Sequence, residues 1–424
     1  MAEITYSDAL NHALKEEMRR DEKVFLMGES IRGGIYGVTG GLSQEFDERV
    51  IDTPLAENGF MGAAVGAAAV GMRPIVQSLA SFAWVAMDQL VSQAAKMRFM
   101  FGGQVNLPIV YRWGLLYGNN VAAHHADRPY PMFMNMPGLK IALPSTPADA
   151  KGLLKTAIRD NDPVMFFEDN NLAGTRGEVS DDEDLCIPFG QAEVKREGTD
   201  VTVVTIAGSI RPAIAVAEEM EADGVSIEII DPRTIVPLDT KTILESVEKT
   251  GRLVIVDPAH QSCSVASEIS SIVSQEGFWS LQAPIQRVTS LDCHFPFSPA
   301  LEHLVYPNED KIADAIAFMR ACGITSDFNN RLYTVNFWTS HEALLLPFEE
   351  AMTRTDSTTG ENHDTSAHFV WIGDRTRQLD GGHVEFCRGI ENPIGIKCGP
   401  TSKPDEIAKI CEAINPKNEK GKIT

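Results

Sequence analysis

The sequence predicts an α/β protein built on largely parallel sheets. Three observations carry this. Short apolar runs recur at 24–29, 49–54, 73–79, 107–113 and 139–145. Helical patterns such as WVAMDQLVSQAAKMR (84–98) lie between them. The 43% hydrophobic and 23% charged residues are a globular balance, and 424 residues make room for about three domains. Uniformly apolar strands separated by helices are buried on both faces, as parallel strands are.

The elements follow in order. Ser7 precedes a segment with Leu10, Ala13, Leu14 and Met18 on one face, which predicts a capped amphipathic helix. VFLMGE, RVIDTP, RPIVQSL, LPIVYRW and LKIALPS are the strands. Thr146 caps a helix that has Pro147 at its first position. The acidic, turn-rich stretch 175–199 has no periodicity and is expected to be a linker. A second α/β unit follows to about Cys322, with strands VTVVTIAG, SIEIIDPRT, RLVIVDPA and APIQRVTS. Its helix 210–224 closes on Gly224, which suits a left-handed cap. In the last stretch HFVWIGD and PIGIKCGP read as strands. KPDEIAKICEAINP reads as a helix with Ile407, Ile410, Cys411 and Ile414 inward. It ends at GKIT as another strand would begin.

Charge and pattern exclude several classes. Lys+Arg is 37 against Asp+Glu 59, a net charge of −22, which repels nucleic acid and anionic membranes. The most apolar stretch, 59–72, stops at Arg73, short of the ~20 residues of a membrane span. The N-terminus has no basic start or apolar core, so no export is expected. Seven scattered cysteines without a C-x-x-C pair read as reduced thiols of a cytoplasmic protein.

Chemistry could sit in few places. Glu57 follows a strand and opens a helix of Gly and Ala, at the end of the sheet where α/β proteins bind ligands. It can equally be a helix-dipole residue. His124 and His125 lie in a Gly/Asn/Pro loop after a strand, as catalytic groups often do, or are surface histidines. A metal site from His124, His125 and Asp127, or from Asp292, Cys293 and His294, lacks further ligands, so no metal is expected. No phosphate-cradle spacing and no nucleophile elbow are present; the glycine-rich loop GGIYGVTGG fits neither pattern.

Longer words point further. MAEITYSDALNHALKEEMRRDEKVFLMGE, RVIDTPLAENGFMGAAVGAA, DQLVSQAAKMRFMFGGQ, PGLKIALPSTPADAKGLLKTAIRD and EIIDPRTIVPLDTKTILESVEKTGRLVIVD resemble the beta subunit of the decarboxylating first component of 2-oxo acid dehydrogenases, pyruvate and acetoin types. The resemblance implies a transketolase-like pyrimidine-binding domain at 1–190 and a transketolase C-terminal domain at 191–325. It also implies a thiamine diphosphate enzyme working as an α2β2 heterotetramer. Glu57 matches the carboxylate that hydrogen-bonds the cofactor's aminopyrimidine ring. Phe82 matches the aromatic that stacks on that ring, and His125 the histidine that orients or protonates substrate. The diphosphate motif and its Mg2+ belong to the alpha subunit, so this chain is expected to be inactive alone, with a lipoyl acyltransferase as downstream partner.

This chain departs from that pattern near the implied site. The family's second histidine is Asn135 here, the segment before the histidines reads WGLLYGNNVAAHHADRPYP, stretch 74–82 is one residue short, and the loop after Glu29 about two. The 2-oxo acid and the acceptor therefore stay open, and an acyloin-forming or ketol-transferring enzyme is the alternative.

The tail carries a second resemblance. YTVNFWTSHEALLLPFEEAMTR, TSAHFVWIGDRTRQLDGGHVEF and NPIGIKCGP resemble type II 3-deoxy-D-arabino-heptulosonate 7-phosphate synthase. This implies that 326–424 is a fragment of a (β/α)8 barrel, with Glu342, Asp374, Arg375 and Lys397 at a phosphoenolpyruvate-like site. Such a barrel needs ~200 residues, so the segment alone is not that enzyme. It is expected to be a relic domain that packs or docks, or a half-barrel completed by a heptulosonate synthase-like partner chain; a non-catalytic scaffold whose tail recruits a heptulosonate synthase is a further alternative.

Overall fold

The computed structural model describes residues 2–34, 37–322 and 339–423. The expected boundary at 325/326, the first residues of the tail motif (333–338) and Ile35 and Tyr36 of the glycine-rich loop lie outside them. The chain forms two compact units, Met1–Ile324 and Thr325–Thr424.

The first unit holds two large sheets and a two-stranded ribbon. One has seven strands, in the order Thr234–Val236, Lys140–Ala142, Val164–Asp169, Val110–Leu115, Arg73–Leu79, Val24–Gly28 and Val50–Asp52. All pairs are parallel except the first. On one face, Tyr6, Leu10, Leu14 and Met18 of helix Tyr6–Arg20 meet Leu153, Leu154 and Ile158 of helix Pro147–Arg159. On the other, Phe60, Met61 and Val65 of helix Glu57–Ala69 pack with Leu90 and Trp113. Each fully buried side chain of this kind contributes about 1.5–3 kcal/mol of transfer free energy. The second sheet runs Gln286–Ser290, Leu253–His260, Val201–Thr205, Ile227–Asp231 and Glu193–Arg196, with only the last antiparallel.

Several details differ from the sequence reading. The first helix begins one residue before Ser7, and its cap is Thr5, whose hydroxyl accepts from the Asp8 N–H at 3.1 Å. The stretch 84–98 is not one α-helix. It passes from a tight turn at Ala80–Ala86 through wide π-type turns at Asp88–Ala94 into Ala95–Met100. The expected linker contains two edge strands: Arg176–Val179 pairs antiparallel with Ala2–Thr5, and Glu193–Arg196 pairs with Ile227–Asp231. Edge strands need no alternating apolar pattern, so periodicity could not reveal them. The run 226–234 breaks at Arg233, in left-handed backbone at φ +62°. Thr234–Val236 then crosses to the other sheet.

An ionic cluster fixes that crossing. Asp149, buried in the first turn of helix Pro147–Arg159, pairs with Lys195 Nζ at 2.6 Å and with Arg233 Nε at 2.7 Å. Asp231 beside them accepts from the Arg233 N–H at 2.9 Å and from the Ser145 hydroxyl. Burial foremost, then the charge of Asp149, pushes the Asp231 carboxyl up to about 6, against the pull of Lys195.

The second unit has a three-stranded parallel sheet, in the order Ser340–Glu342, Phe369–Ile372 and Ile394–Ile396. Helices Leu346–Met352, Gly382–Arg388 and Pro404–Ile414 accompany it. Val370, Ile372, Val384, Cys387, Ile394, Ile410 and Ile414 form its core. Ile423 makes an isolated parallel bridge to Ile394. Strand–helix repeats of this kind are what a piece of a (β/α) barrel provides.

The raised carboxyl of Asp231 gives a signed expectation. Its folded value lies above its unfolded one, so it favours the fold at low pH, and that contribution is lost as pH rises through about 6. Asp231→Asn should therefore gain on the parent by roughly 1.4 kcal/mol between pH 5 and pH 7 in urea melts. A difference that is constant with pH would refute this.

Candidate active site

Four neighbouring strands of the seven-stranded sheet, Val50–Asp52, Val24–Gly28, Arg73–Leu79 and Val110–Leu115, run parallel. Their carboxyl ends therefore share one edge, and each hands the chain to a candidate group. Glu29 follows the second strand, Glu57 the first, Phe82 the third, and His124 and His125 the fourth. The strand ends approach so closely that a Cβ on Gly28 would lie 2.5 Å from the Gln77 carbonyl oxygen, which only glycine permits. The Thr53 N–H donates to the Gly28 carbonyl at 2.9 Å and turns the chain toward Glu57.

Glu57 is the first residue of helix Glu57–Ala69, and no side chain caps that end. A carboxylate is favoured there by the helix dipole. Glu57 is half-buried, not sealed. Its charge acts on Glu29, whose carboxyl is raised first by burial and then by Glu57. One oxygen of Glu29 is buried without a hydrogen-bond partner. A ligand group that donates a hydrogen bond there would satisfy the orphaned Glu29 oxygen.

The half-buried Phe82 ring lies 5.7 Å, centroid to centroid, from His124 and equally from His125, edge-on to both. The two histidine rings are 5.1 Å apart. The turn carrying Phe82 is tied to the histidine loop twice. Trp84 Nε1 donates to Asp127 at 3.3 Å, and the Asp127 N–H donates to Ser81 Oγ at 3.0 Å. The structure thus gathers Phe82, His124 and His125, and sets Glu57 beside Glu29 on the same edge. Among the described residues no three His, Cys, Asp or Glu side chains could hold a metal ion.

Sequence reasoning missed Glu29. The signal was available, because VFLMGE ends in an acid at the carboxyl end of a buried strand. The four tail residues also fall together. Glu342, Asp374, Arg375 and Lys397 sit at or just beyond the carboxyl ends of the three strands of the second unit. Asp374 accepts from Arg377 Nε at 2.9 Å and from the Gly399 N–H at 3.1 Å, and Arg377 foremost holds its carboxyl below the usual range. Arg377 was not singled out from sequence. Its role depends on a reach back of three residues within a turn, which spacing alone does not specify.

Comparison with known proteins finds two families and many relatives. Residues 2–175 match the transketolase pyrimidine-binding domain family, and residues 250–424 match the class-II DAHP synthetase family. The second match runs back into strands Leu253–His260 and Gln286–Ser290, which here belong to the five-stranded sheet of the first unit. The chain is 44% identical over 325 residues to the acetoin:2,6-dichlorophenolindophenol oxidoreductase subunit beta of Bacillus subtilis, covering 73% of this chain and 95% of the relative. It is 45% identical over 320 residues to the pyruvate dehydrogenase E1 component subunit beta of Rhizobium meliloti, covering 74% and 70%. It is 42% identical over 322 residues to the 2-oxoisovalerate dehydrogenase subunit beta of B. subtilis, covering 74% and 98%. A solved split-gene transketolase, an inactive beta4 tetramer, has the same fold at TM-score 0.63 and 21% identity, covering 75% of this chain and 99% of its own.

The acidic pair is open to direct titration. Glu57→Gln removes a negative charge from beside Glu29, so the Glu29 carboxyl should titrate at lower pH, read from its 13C resonance with Glu29→Gln as the assignment control. An unchanged titration would mean that the two acids do not interact.

Proposed function

The chain belongs to the family of beta subunits of 2-oxo acid dehydrogenases and acetoin oxidoreductase, and on that footing we propose that its open sheet edge is the beta half of a thiamine diphosphate site for a pyruvate-type 2-oxo acid. The observation that carries the reading is that Glu57 and the Phe82–His125 ring contact both follow the carboxyl ends of neighbouring parallel strands.

The residues suit an aminopyrimidine ring. Glu29 offers an orphaned, buried carboxyl oxygen, Glu57 a half-open carboxyl at a helix start, and Phe82 a half-open aromatic face. When bound, thiamine diphosphate supplies a carbon nucleophile and an electron sink for loss of carbon dioxide. Glu57 is the group to hold a proton at the ring nitrogen. Glu29, with its raised proton affinity, shares that proton load. Phe82 holds the ring flat and keeps water from it. His125 is the group to orient the keto acid and deliver a proton near its reacting carbon.

The rest of the pocket comes from elsewhere. An alpha subunit, in an α2β2 assembly, supplies the diphosphate cradle and its Mg2+. Helix Glu57–Ala69 leaves Gly59, Ala63, Gly66 and Ala69 exposed, flanked in the chain by Leu55 at 83% and Val70 at 82% exposure. So apolar and small a face suits a close subunit contact. A lipoyl acyltransferase is the downstream partner of the dehydrogenase reading. Seven unpaired cysteines suit a reducing cytoplasm, and among the described residues no helix is long and apolar enough to cross a membrane.

Two further readings have specific support. Asn135 stands where the family has a second histidine, which favours an acyloin-forming or ketol-transferring variant with a free carbonyl acceptor. The co-location of Glu342, Asp374, Arg375 and Lys397 favours a residual phosphoenolpyruvate-like site, in a tail that recruits a heptulosonate synthase-like chain.

Mixing the chain with its cognate alpha subunit should create thiamine-dependent decarboxylation of a 2-oxo acid. Glu57→Gln should lower its rate by about 100-fold or more while the assembly persists in size-exclusion chromatography. Full activity of that variant would end the assignment. Lipoamide against free aldehyde acceptors decides between the two reactions. For the tail, phosphoenolpyruvate binding by the full chain in calorimetry should fall about tenfold or more in Lys397→Ala, given a charged hydrogen bond's worth. No binding by the parent chain removes that reading.

A further inference from the structure

The loop that carries the histidines is held in place by the other lobe. Residues 117–127 link strand Val110–Leu115 to Tyr130, and three of them, Gly118, Asn120 and Ala122, have left-handed backbone at φ +67°, +58° and +60°. Non-glycine residues reach that region at a cost and keep it only when their surroundings insist.

The insistence comes from the segment that follows the five-stranded sheet. Glu302 ends the short helix Pro299–Glu302 and is 1% exposed. One of its oxygens accepts from the Gly118 N–H at 2.8 Å, the other from the Asn120 N–H at 2.9 Å. A buried carboxylate bound by two backbone N–H groups is a strong, directional tie, and removing it leaves both donors unpaired. Tyr306 closes from the same side. Its ring stands edge-on to Tyr117 at 5.8 Å, and a Cβ on Gly118 would meet it at 3.4 Å. At the far end of the loop the Arg128 guanidinium is sandwiched between the rings of Tyr117 at 4.3 Å and Phe295 at 4.1 Å. Its Nη1 donates to the Ala126 carbonyl at 2.5 Å. Both ends of the loop are therefore gripped by residues 295–306 of the second lobe.

We infer that Glu302 is a positioning residue for the active site: by binding the Gly118 and Asn120 N–H groups it fixes the loop that sets His124 and His125 against Phe82. The inference rests on the reading of His125 as a proton-delivering group, and its test separates the two. Hydrogen exchange of residues 116–121 is followed in the full chain for the parent, Glu302→Gln and Glu302→Asp. The Gly118 and Asn120 amides should exchange about 10- to 100-fold faster in Glu302→Gln, with the core strands unchanged and Glu302→Asp in between. In the complex with the alpha subunit, Glu302→Gln should lower kcat about tenfold, with KM for the 2-oxo acid moving less than about threefold.

Unchanged exchange at Gly118 and Asn120 in Glu302→Gln overturns the inference. So does faster exchange throughout the chain in both variants, because Glu302 would then hold the fold and not the loop. Full activity in His125→Ala instead refutes the role given to His125, and the exchange result still decides whether Glu302 holds the loop.

Discussion

Parallel pairing of four short strands is the constraint on which the site depends. Strands that run the same way end at the same edge, so groups far apart in sequence are delivered to one place without any contact having to draw them together. Glu29, Glu57, Phe82 and His125 span nearly a hundred residues, yet each lies within ten residues of a strand end. The apolar runs that bury these strands are thus also what locates the chemistry. The same logic acts in the second unit, where three parallel strands gather Glu342, Asp374, Arg375 and Lys397.

A shared edge positions groups but does not aim them. Aim comes from local devices that differ from group to group. Glu57 is set by the start of a helix, and Glu29 by burial beside it. Phe82 is set by a tight turn that continues into π-type turns, and the histidines by a strained loop tied to Ser81, Trp84 and Glu302. The first unit therefore works as one body: its second lobe is remote from the sheet edge in sequence, yet it shapes the loop that serves it. The exposed small residues along helix Glu57–Ala69, which starts at that edge, are the complementary feature, since small side chains allow a close approach.

Much of this was legible in the sequence, because burial and period are written locally. The strands at 24–28, 73–79 and 110–115, the Thr146 cap with Pro147, and the left-handed Gly224 all follow from short patterns. The family-level assignment was legible from longer words, and the comparisons bear it out. What could not be read is what depends on distant partners. The edge strands in 175–199 owe their existence to Ala2–Thr5 and Ile227–Asp231, not to their own composition. The break at Arg233 depends on Asp149, more than eighty residues earlier, and the loop geometry at 117–122 on Glu302. Thr5 rather than Ser7 caps the first helix because the strand Ala2–Thr5 fixes where the chain turns.

On the proposed reading, this chain supplies half of a cofactor pocket whose other half lies on a companion subunit. The most direct measurement is calorimetric titration of thiamine diphosphate, with Mg2+ present, into this chain, into the alpha subunit, and into the two combined. The expected result is one binding site per alpha–beta pair in the mixture and none on this chain alone. Stoichiometric binding to the isolated chain, or no gain on mixing, would contradict it.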